Sequence, residues 1–194
     1  IEPRISEEPY DPIANQFLPD RYVEGTCPHC NYESARGDQC DDCGKTLDSK
    51  ELINPRSKLN PDAKIEFRET EHLFFKLSEF RDVLLDWLSE GKEHWRSSVI
   101  NFTRNWLKEG LIDRAVTRDL DWGIEIPREG YENKRMYVWF EAVMGYYSAS
   151  VHWAKNQGKP EEWKKWWENE NSEHYYFMAK DNIPFHTIIW PAML

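Results

Sequence analysis

Two short cysteine pairs, Cys27-Pro28-His29-Cys30 and Cys40-Asp41-Asp42-Cys43, decide how the amino-terminal part of this chain folds. A C-x2-C pair presents two thiolates to one ion from a tight turn, and two such pairs complete a tetrahedral set. The chain has four cysteines in all, so this set uses every one. We predict one structural zinc ion, because four thiolates leave no open coordination position for catalysis. Two disulfide-like pairs and a redox C-x-x-C motif are the alternatives, and His29 is expected to be exposed to solvent.

The residues around the cysteines support this reading. Residues 17–60 contain many turn formers and few apolar side chains, so we expect a metal to stabilise a region that has little core of its own. Residues 1–16 are rich in proline and acidic residues and are predicted to form an extended arm of unclear origin.

A more regular pattern begins at Ile65. Two short strands are predicted, at Ile65–Arg68 and Leu73–Lys76, followed by two amphipathic helices. The first helix is expected to start at Ser78 and stop at Gly91, and the second to stop at Gly110. The apolar residues at helical spacing are interpreted as core: Phe80, Val83, Leu84, Trp87 and Leu88 in the first helix, and Trp95, Val99, Phe102 and Trp106 in the second.

The carboxy-terminal part predicts an α/β fold. Met136–Glu141 (MYVWFE) and His174–Ala179 (HYYFMA) have the continuous apolar character of strands in a buried parallel sheet. Helices are predicted at 142–155, from Lys159 onward, and at 183–194. Alternation of strands and helices favours parallel α/β, and two strands make only an incomplete, Rossmann-like half of such a sheet.

Charge and hydropathy limit the classes of partner. The formal net charge is -10, whereas a protein that binds nucleic acid non-specifically carries a basic surface. We expect weak or no nucleic-acid binding by this chain alone. No apolar run reaches the length that crosses a bilayer, so no membrane partner is expected. No secretory signal is visible, and a cytoplasmic location is predicted.

Several segments, in the same order along the chain, resemble methionyl-tRNA synthetases. They are Phe17–Tyr22 running into Gly25–Pro28, Leu52–Arg56, Thr117–Gly123, Tyr137–Ala142 with Gly145-Tyr146, Lys180–His186, and Trp190–Ala192. The resemblance covers about Phe17 to Leu194 and implies a zinc-containing connective-peptide insertion at 17–115, with the zinc knuckle at about 17–60. Residues 116–194 would then be the second part of the nucleotide-binding catalytic domain.

The resemblance also implies roles for individual residues. It places the methionine side chain against Trp139, Ala142, Tyr146, Phe185, His186 and Trp190. A polarizable thioether packs well on aromatic rings, which fits this set. Asp181 would meet the ribose of the adenylate, Glu125 would lie near the adenosine, and Arg118 would order the active-site loop. From the residues alone, core is the favoured interpretation of Trp139, and solvated surface is the favoured interpretation of the three charged residues.

The implied parent is a ligase that joins methionine to its tRNA, with ATP and Mg2+ as substrates. The HIGH-type and KMSKS-type motifs of the family are absent from this chain, so we expect the chain alone to be inactive. The family's Pro-Ile after the pocket alanine is Val143-Met144 here, which removes a fixed φ. A standalone structural zinc module without catalysis and a paralogue with a decayed active site are the alternatives.

Overall fold

A computed structural model describes residues 1–38, 40–43 and 47–194, with the side chain of Asp181 left out. It combines small sheets with helices and divides into two compact units. The first unit is Ile1–Phe74 with Ala115–Met136, and the second is Phe75–Arg114 with Tyr137–Leu194. Among the described residues, no helix is both long and apolar enough to cross a bilayer.

The larger sheet of the first unit is built on two ten-residue strands. Strand β1 (Glu2–Asp11) pairs antiparallel with β2 (Gln16–Phe17). Three further strands, β3 (Val23–Thr26), β4 (Ala35–Arg36) and β5 (Ile53–Ser57), belong to a second sheet. Strand β6 (Glu66–Phe75) pairs antiparallel with the other side of β1. A short strand β7 (Arg114–Ala115) completes the order β2-β1-β6-β7. Most of residues 1–16 are therefore extended and lie in this sheet.

The prediction of two separate short strands at 65–68 and 73–76 was wrong, because one strand covers both segments. The chain forms one continuous strand, β6, whose register with β1 runs from Glu2↔Phe74 to Tyr10↔Glu66. The polar residues in the middle of β6 interrupt the apolar pattern, but they pair with an equally polar stretch of β1. Backbone pairing to a long partner thus overrides the local loss of hydrophobic alternation.

A three-stranded sheet carries the cysteines. It has the order β4 (Ala35–Arg36), β3 (Val23–Thr26), β5 (Ile53–Ser57), with antiparallel pairing. Its buried residues form a small core to which two of the cysteines belong: Leu18, Val23, Cys27, Ala35, Cys40, Leu47 and Leu52. Gly37 is required there, since a Cβ would lie 2.7 Å from the Asp20 carbonyl oxygen. In a separate ladder, β8 (Thr117–Asp119) pairs antiparallel with β9 (Lys134–Met136).

The second unit is helical. Its helices are α1 (Arg81–Ser89), α2 (Ser97–Glu109), α3 (Val138–Glu141), α4 (Gly145–Asn156), α5 (Lys164–Trp167) and α6 (Trp190–Met193), and a π-helical turn, Phe185–Ile189, precedes α6. Short 3-10 turns lie at Leu77–Phe80, Ala142–Met144 and Lys180–Asn182. Leucines of α1 and α2 pack with Ile188 and Ala192 in the buried core.

The two predicted amphipathic helices are confirmed, with changes in detail. Helix α2 ends at Gly110, which has a positive φ of 103°. Val83 and Trp87 of α1 were predicted to be core but are exposed, because the buried stripe of that helix runs through Leu84 and Leu88. Ser78 does not cap α1. Its hydroxyl donates to Asp113, and a 3-10 turn leads into the helix.

Both predicted parallel-sheet strands of the carboxy-terminal part are corrected by the structure. Met136–Glu141 is the end of β9 followed by α3, in which the amides of Phe140 and Glu141 donate to the Tyr137 carbonyl. A short apolar run suits a buried helix as well as a strand, so periodicity alone could not distinguish them. His174–Ala179 forms no strand in the described structure, because no neighbouring segment there offers it a ladder.

Candidate functional site

The four cysteine sulfurs converge on one point. The Sγ atoms of Cys27, Cys30, Cys40 and Cys43 all lie within 4.8 Å of one another, with 3.9 Å between Cys27 and Cys43 and 3.6 Å between Cys30 and Cys40. A tetrahedral zinc with Zn–S bonds of about 2.3 Å places its sulfurs about 3.8 Å apart. A disulfide needs about 2.05 Å, so these thiols are not disulfide-bonded. The cluster can hold a metal ion, and its spacing fits zinc.

Hydrogen bonds and crowding set the charge state of these thiols. Burial raises the pKa of Cys27, but backbone N–H groups of His29 and Cys30, together with neighbouring thiols, outweigh it and lower the pKa to about 7. At Cys30 the N–H of Tyr32 lowers the pKa, whereas burial and the other three thiols raise it to about 12. Four thiolates in this space therefore need a cation to balance their charge. His29 is exposed, as predicted.

Two aromatic side chains predicted to contact the methionine pack together in the second unit. The Trp139 ring, on α3, lies 6.2 Å from the Phe185 ring with an interplanar angle of 39°. Trp139 is 42% exposed, so its indole is not a core residue in this structure. Ala142, at the 3-10 turn that follows α3, is also exposed. This end of the unit thus presents an open apolar wall.

Tyr146 and His186 form a hydrogen-bonded pair whose proton positions follow from their partners. His186 Nδ1 lies 2.9 Å from the carbonyl oxygen of Asn182. A carbonyl only accepts, so Nδ1 carries the ring proton and Nε2 of the neutral ring accepts from the Tyr146 hydroxyl at 2.9 Å. In this state the Tyr146 oxygen keeps acceptor lone pairs. His186 lies in the π-helical turn, where its ring reaches the carbonyl oxygen of Asn182, four residues earlier in the chain.

Trp190, at the start of α6, is the buried member of the predicted set. It is 4% exposed, and its ring packs edge-on against Trp167 at 5.7 Å. Its indole Nε1 is buried and has no hydrogen-bond partner among the described residues. The structure therefore brings together two pairs, Trp139–Phe185 and Tyr146–His186, and holds Trp190 in a neighbouring aromatic cluster.

Two of the three charged residues with implied roles, Arg118 and Glu125, belong to the first unit, and the side chain of the third, Asp181, lies outside the described residues. Arg118, on β8, donates to the carbonyls of Ala115 and Thr117 and lies 3.4 Å from Asp20. Glu125 is exposed, and its backbone forms an isolated antiparallel β-bridge with Arg135 beside the β8–β9 ladder. The Asp181 side chain lies outside the described residues, although its backbone belongs to the turn Lys180–Asn182. Their predicted roles stay predictions.

A buried polar network next to Arg118 was missed by sequence reasoning. Asp119 accepts from Lys134 at 2.6 Å and from Thr70 at 3.0 Å, and it lies 3.3 Å from Nε2 of His72. Burial lowers the pKa of His72 to about 4, against the opposing effect of the Asp119 carboxylate. His72 is therefore neutral near pH 7. Although Thr117, His72 and Asp119 have the connectivity of a catalytic triad, Thr117 is fully buried and no substrate can reach it.

Sequence reasoning also missed Tyr176. Its ring lies 5.4 Å from that of Tyr146 and 5.2 Å from that of His186. Within His174–Ala179 it is the one residue that is not exposed. The segment was interpreted as a strand with both faces buried, which hid the special position of this side chain.

Comparison with known proteins decides the family. The family model described as tRNA synthetases class I (M) matches residues 1–194. The chain belongs to this family. It is 63% identical over 187 residues to the methionine--tRNA ligase of Dehalococcoides mccartyi, covering 96% of this chain and 33% of that protein. It is 52% identical over 194 residues to the methionine--tRNA ligase of Thermoplasma volcanium, covering 100% of this chain and 35% of that protein. The chain thus spans about a third of the length of these class I relatives.

Solved structures of the family share the fold. The free methionyl-tRNA synthetase of Mycobacterium tuberculosis superposes with a TM-score of 0.58 at 18% identity, over 98% of this chain and 32% of that chain. The same enzyme in complex with methionyl-adenylate gives a TM-score of 0.56, over 98% of this chain and 31% of that chain. At this identity the likeness concerns the fold of these class I synthetases and nothing finer.

Proposed function

We propose that this chain is part of a cytoplasmic methionine–tRNA ligase. The parent protein would activate methionine with ATP and Mg2+ to methionyl-adenylate and transfer the methionyl group to tRNA. Family membership and two relatives that carry this name support the proposal. Because the chain spans about a third of those relatives, the activity belongs to the full-length protein.

The paired aromatic side chains of the second unit carry the proposal. Trp139 and Phe185 offer two apolar rings in a tilted contact, and Tyr146 and His186 offer a hydrogen-bonded polar pair. A methionine side chain is flexible, apolar and polarizable, and it gains most from such aromatic walls. Trp190 is buried against Trp167, and Ala142 is exposed at the turn that follows α3. We assign these six residues to the methionine site.

The remaining assignments follow from the same family. Asp181 would bind the ribose of the adenylate, Glu125 would lie near the adenosine, and Arg118 would order the active-site loop. Residues 17–115 would be the connective-peptide insertion and 116–194 the second part of the catalytic domain, whereas residues 1–16 form β1 and the start of β2. The catalytic part would complete a Rossmann-like parallel sheet in the full-length protein. There, His174–Ala179 would gain the neighbouring strands that the described chain does not offer it.

We further propose that the four cysteines hold a structural zinc ion. The sulfur spacing matches a tetrahedral thiolate site, and Cys27 and Cys40 belong to the small core of their sheet. The metal would then replace the apolar area that this region lacks. A standalone zinc module is the weaker proposal, because it has no use for the aromatic side chains of the second unit.

Charging of tRNA tests the proposal. The full-length protein should attach radiolabelled methionine to unfractionated tRNA in an ATP-dependent reaction, and other amino acids should compete poorly. Attachment of a different amino acid in preference to methionine would contradict the assignment of the aromatic site. The 194-residue chain alone should bind tRNA weakly or not at all, in keeping with its net charge of -10.

A further inference from the structure

We propose that Tyr176 is a positioning residue for the Tyr146–His186 pair, and that His174 holds Tyr176 in place. The inference rests on the proposed function, because it concerns the same methionine site. Its starting point is that one ring, Tyr176, contacts both members of the hydrogen-bonded pair.

The contacts of Tyr176 restrain the two rings in different ways. It meets Tyr146 edge-on, with 5.4 Å between centroids and 66° between planes, and His186 at 5.2 Å and 60°. Such edge contacts between aromatic rings have a preferred geometry. The Tyr146 hydroxyl and His186 Nε2 must stay 2.9 Å apart for their hydrogen bond. A third ring against both keeps them from rotating apart, which matters because Tyr146 itself is 46% exposed.

His174 fixes the position of Tyr176. Nε2 of His174 lies 2.8 Å from the carbonyl oxygen of Trp166, so this nitrogen carries the ring proton. Nδ1 of the neutral ring is then an acceptor, and the Tyr176 hydroxyl donates to it at 3.4 Å. The Trp167 ring packs against His174 at 4.8 Å and also against Trp190. The restraint thus continues from the polar pair to the buried tryptophan of the proposed site.

The environment of the segment singles out this side chain. Tyr175 and Phe177, the neighbours of Tyr176, are 75% and 97% exposed and have no ring contact among those described. Tyr176 alone faces the site.

Kinetics of the full-length protein test the inference. Methionine-dependent exchange of pyrophosphate into ATP gives the KM for methionine, the KM for ATP and kcat. Tyr176→Leu should raise the methionine KM about tenfold, because two aromatic contacts are lost, with ATP KM changed less than about twofold. Tyr176→Phe keeps the ring and loses only the hydroxyl that His174 accepts, so it should raise the methionine KM about threefold, well below the rise in Tyr176→Leu. Tyr22→Leu, which removes a half-exposed tyrosine of the first unit, is the matched control and should behave as wild type.

Coupling to Tyr146 separates positioning from simple stability. If Tyr176 acts through the pair, the rise in methionine KM in Tyr176→Leu/Tyr146→Leu should be well below the product of the two single rises. A product of independent effects, an unchanged methionine KM in Tyr176→Leu, or equal loss of methionine and ATP affinity overturns the inference. Should Tyr176→Leu fail to fold, His174→Phe decides, because it keeps a ring against Trp167 while it removes the acceptor for the Tyr176 hydroxyl and the donor to the Trp166 carbonyl. A rise of about threefold in methionine KM supports the inference, and no rise overturns it.

The outcome also separates this inference from the function it rests on. A correctly folded wild-type protein without methionine-dependent exchange would contradict the proposed function, and the positioning role with it. An active wild type whose Tyr176→Leu variant keeps its methionine KM overturns the positioning role alone.

Discussion

At the residue scale, the exposure of Trp139 is the most informative single observation. A tryptophan in an apolar run is ordinarily core, yet this one is 42% exposed, and its ring lies in a tilted contact with Phe185. A contiguous exposed apolar surface, such as Trp139 forms with Phe185, marks binding sites more often than a single exposed side chain does. The sequence alone left core and pocket open for this residue, because a run of apolar letters does not show which side chains are left uncovered.

We predict that Trp139→Ala in the full-length protein weakens methionine binding by about 1–3 kcal/mol and leaves ATP binding nearly unchanged. The reason is that an aromatic wall is lost, whereas the nucleotide does not meet this side chain in the proposed site. Trp87→Ala is the matched control, since Trp87 is a similarly exposed tryptophan that packs on Trp95. Equal loss for both substrates, or loss of thermal stability with methionine affinity intact, would return Trp139 to a structural role.

His72 makes the stability of the first unit depend on pH. Its pKa is lowered to about 4 in the folded state by burial, from an ordinary value near 6.5. Between these values the unfolded chain takes up a proton that the folded one refuses, so stability falls as pH drops from about 6.5 to about 4. We predict that wild type loses about 1–3 kcal/mol more than His72→Gln across this range. Denaturant unfolding at several pH values gives the free energy of unfolding of both proteins. If that free energy changes with pH equally in wild type and His72→Gln, His72 does not contribute.

At the element scale, the three-stranded sheet that carries the cysteines is stabilised by contacts within its own segment of the chain. It has a small core that includes Cys27 and Cys40, so a bound metal should supply much of its stability. Metal analysis should find about one zinc per chain. Cys40→Ser should raise amide exchange in residues 17–60 and leave the helices of the second unit protected. Asp42→Asn, an exposed position between two of the cysteines, is the control. Absence of zinc in reduced protein, with no effect of chelation, would refute the site.

The segment His174–Ala179 makes a second prediction at this scale. In the 194-residue chain its amides should exchange quickly, because the described structure offers them no ladder. In the full-length protein the same amides should be protected, since neighbouring strands of the proposed parallel sheet would pair with them. Hydrogen exchange with mass spectrometry compares the two directly. Fast exchange in both proteins would mean that this segment is not a strand of the sheet.

These elements also show what the sequence could and could not predict. Helix α2 was predicted well, because an apolar stripe and Gly110 at its end act within one segment. The cysteine cluster was predicted because C-x2-C pairs constrain geometry over four residues. Met136–Glu141 was predicted wrongly, since a short apolar run suits either element. Tyr176 and the His72 network could not be predicted, because both depend on residues far apart in sequence meeting in space.

At the scale of the whole molecule, this chain contains some of the parts that the proposed activity needs, and the full-length protein would supply the others. Two compact units carry the cysteine cluster and the aromatic site, while the HIGH-type and KMSKS-type motifs are absent from the sequence. Without preorganised groups for the phosphates, charge that develops at the α-phosphate has no partner. We therefore propose that, in the full-length protein, the residues that bind methionine and the residues that bind the phosphates belong to different parts of the sequence.

Methionine-dependent exchange of pyrophosphate into ATP, measured side by side on the full-length protein and on the 194-residue chain, tests this account most directly. We predict clear exchange by the full-length protein that requires methionine and is not supported by leucine or valine. The chain alone, freed of host enzyme, should show none. Exchange by the isolated chain, or exchange by the full-length protein that does not depend on methionine, would contradict it.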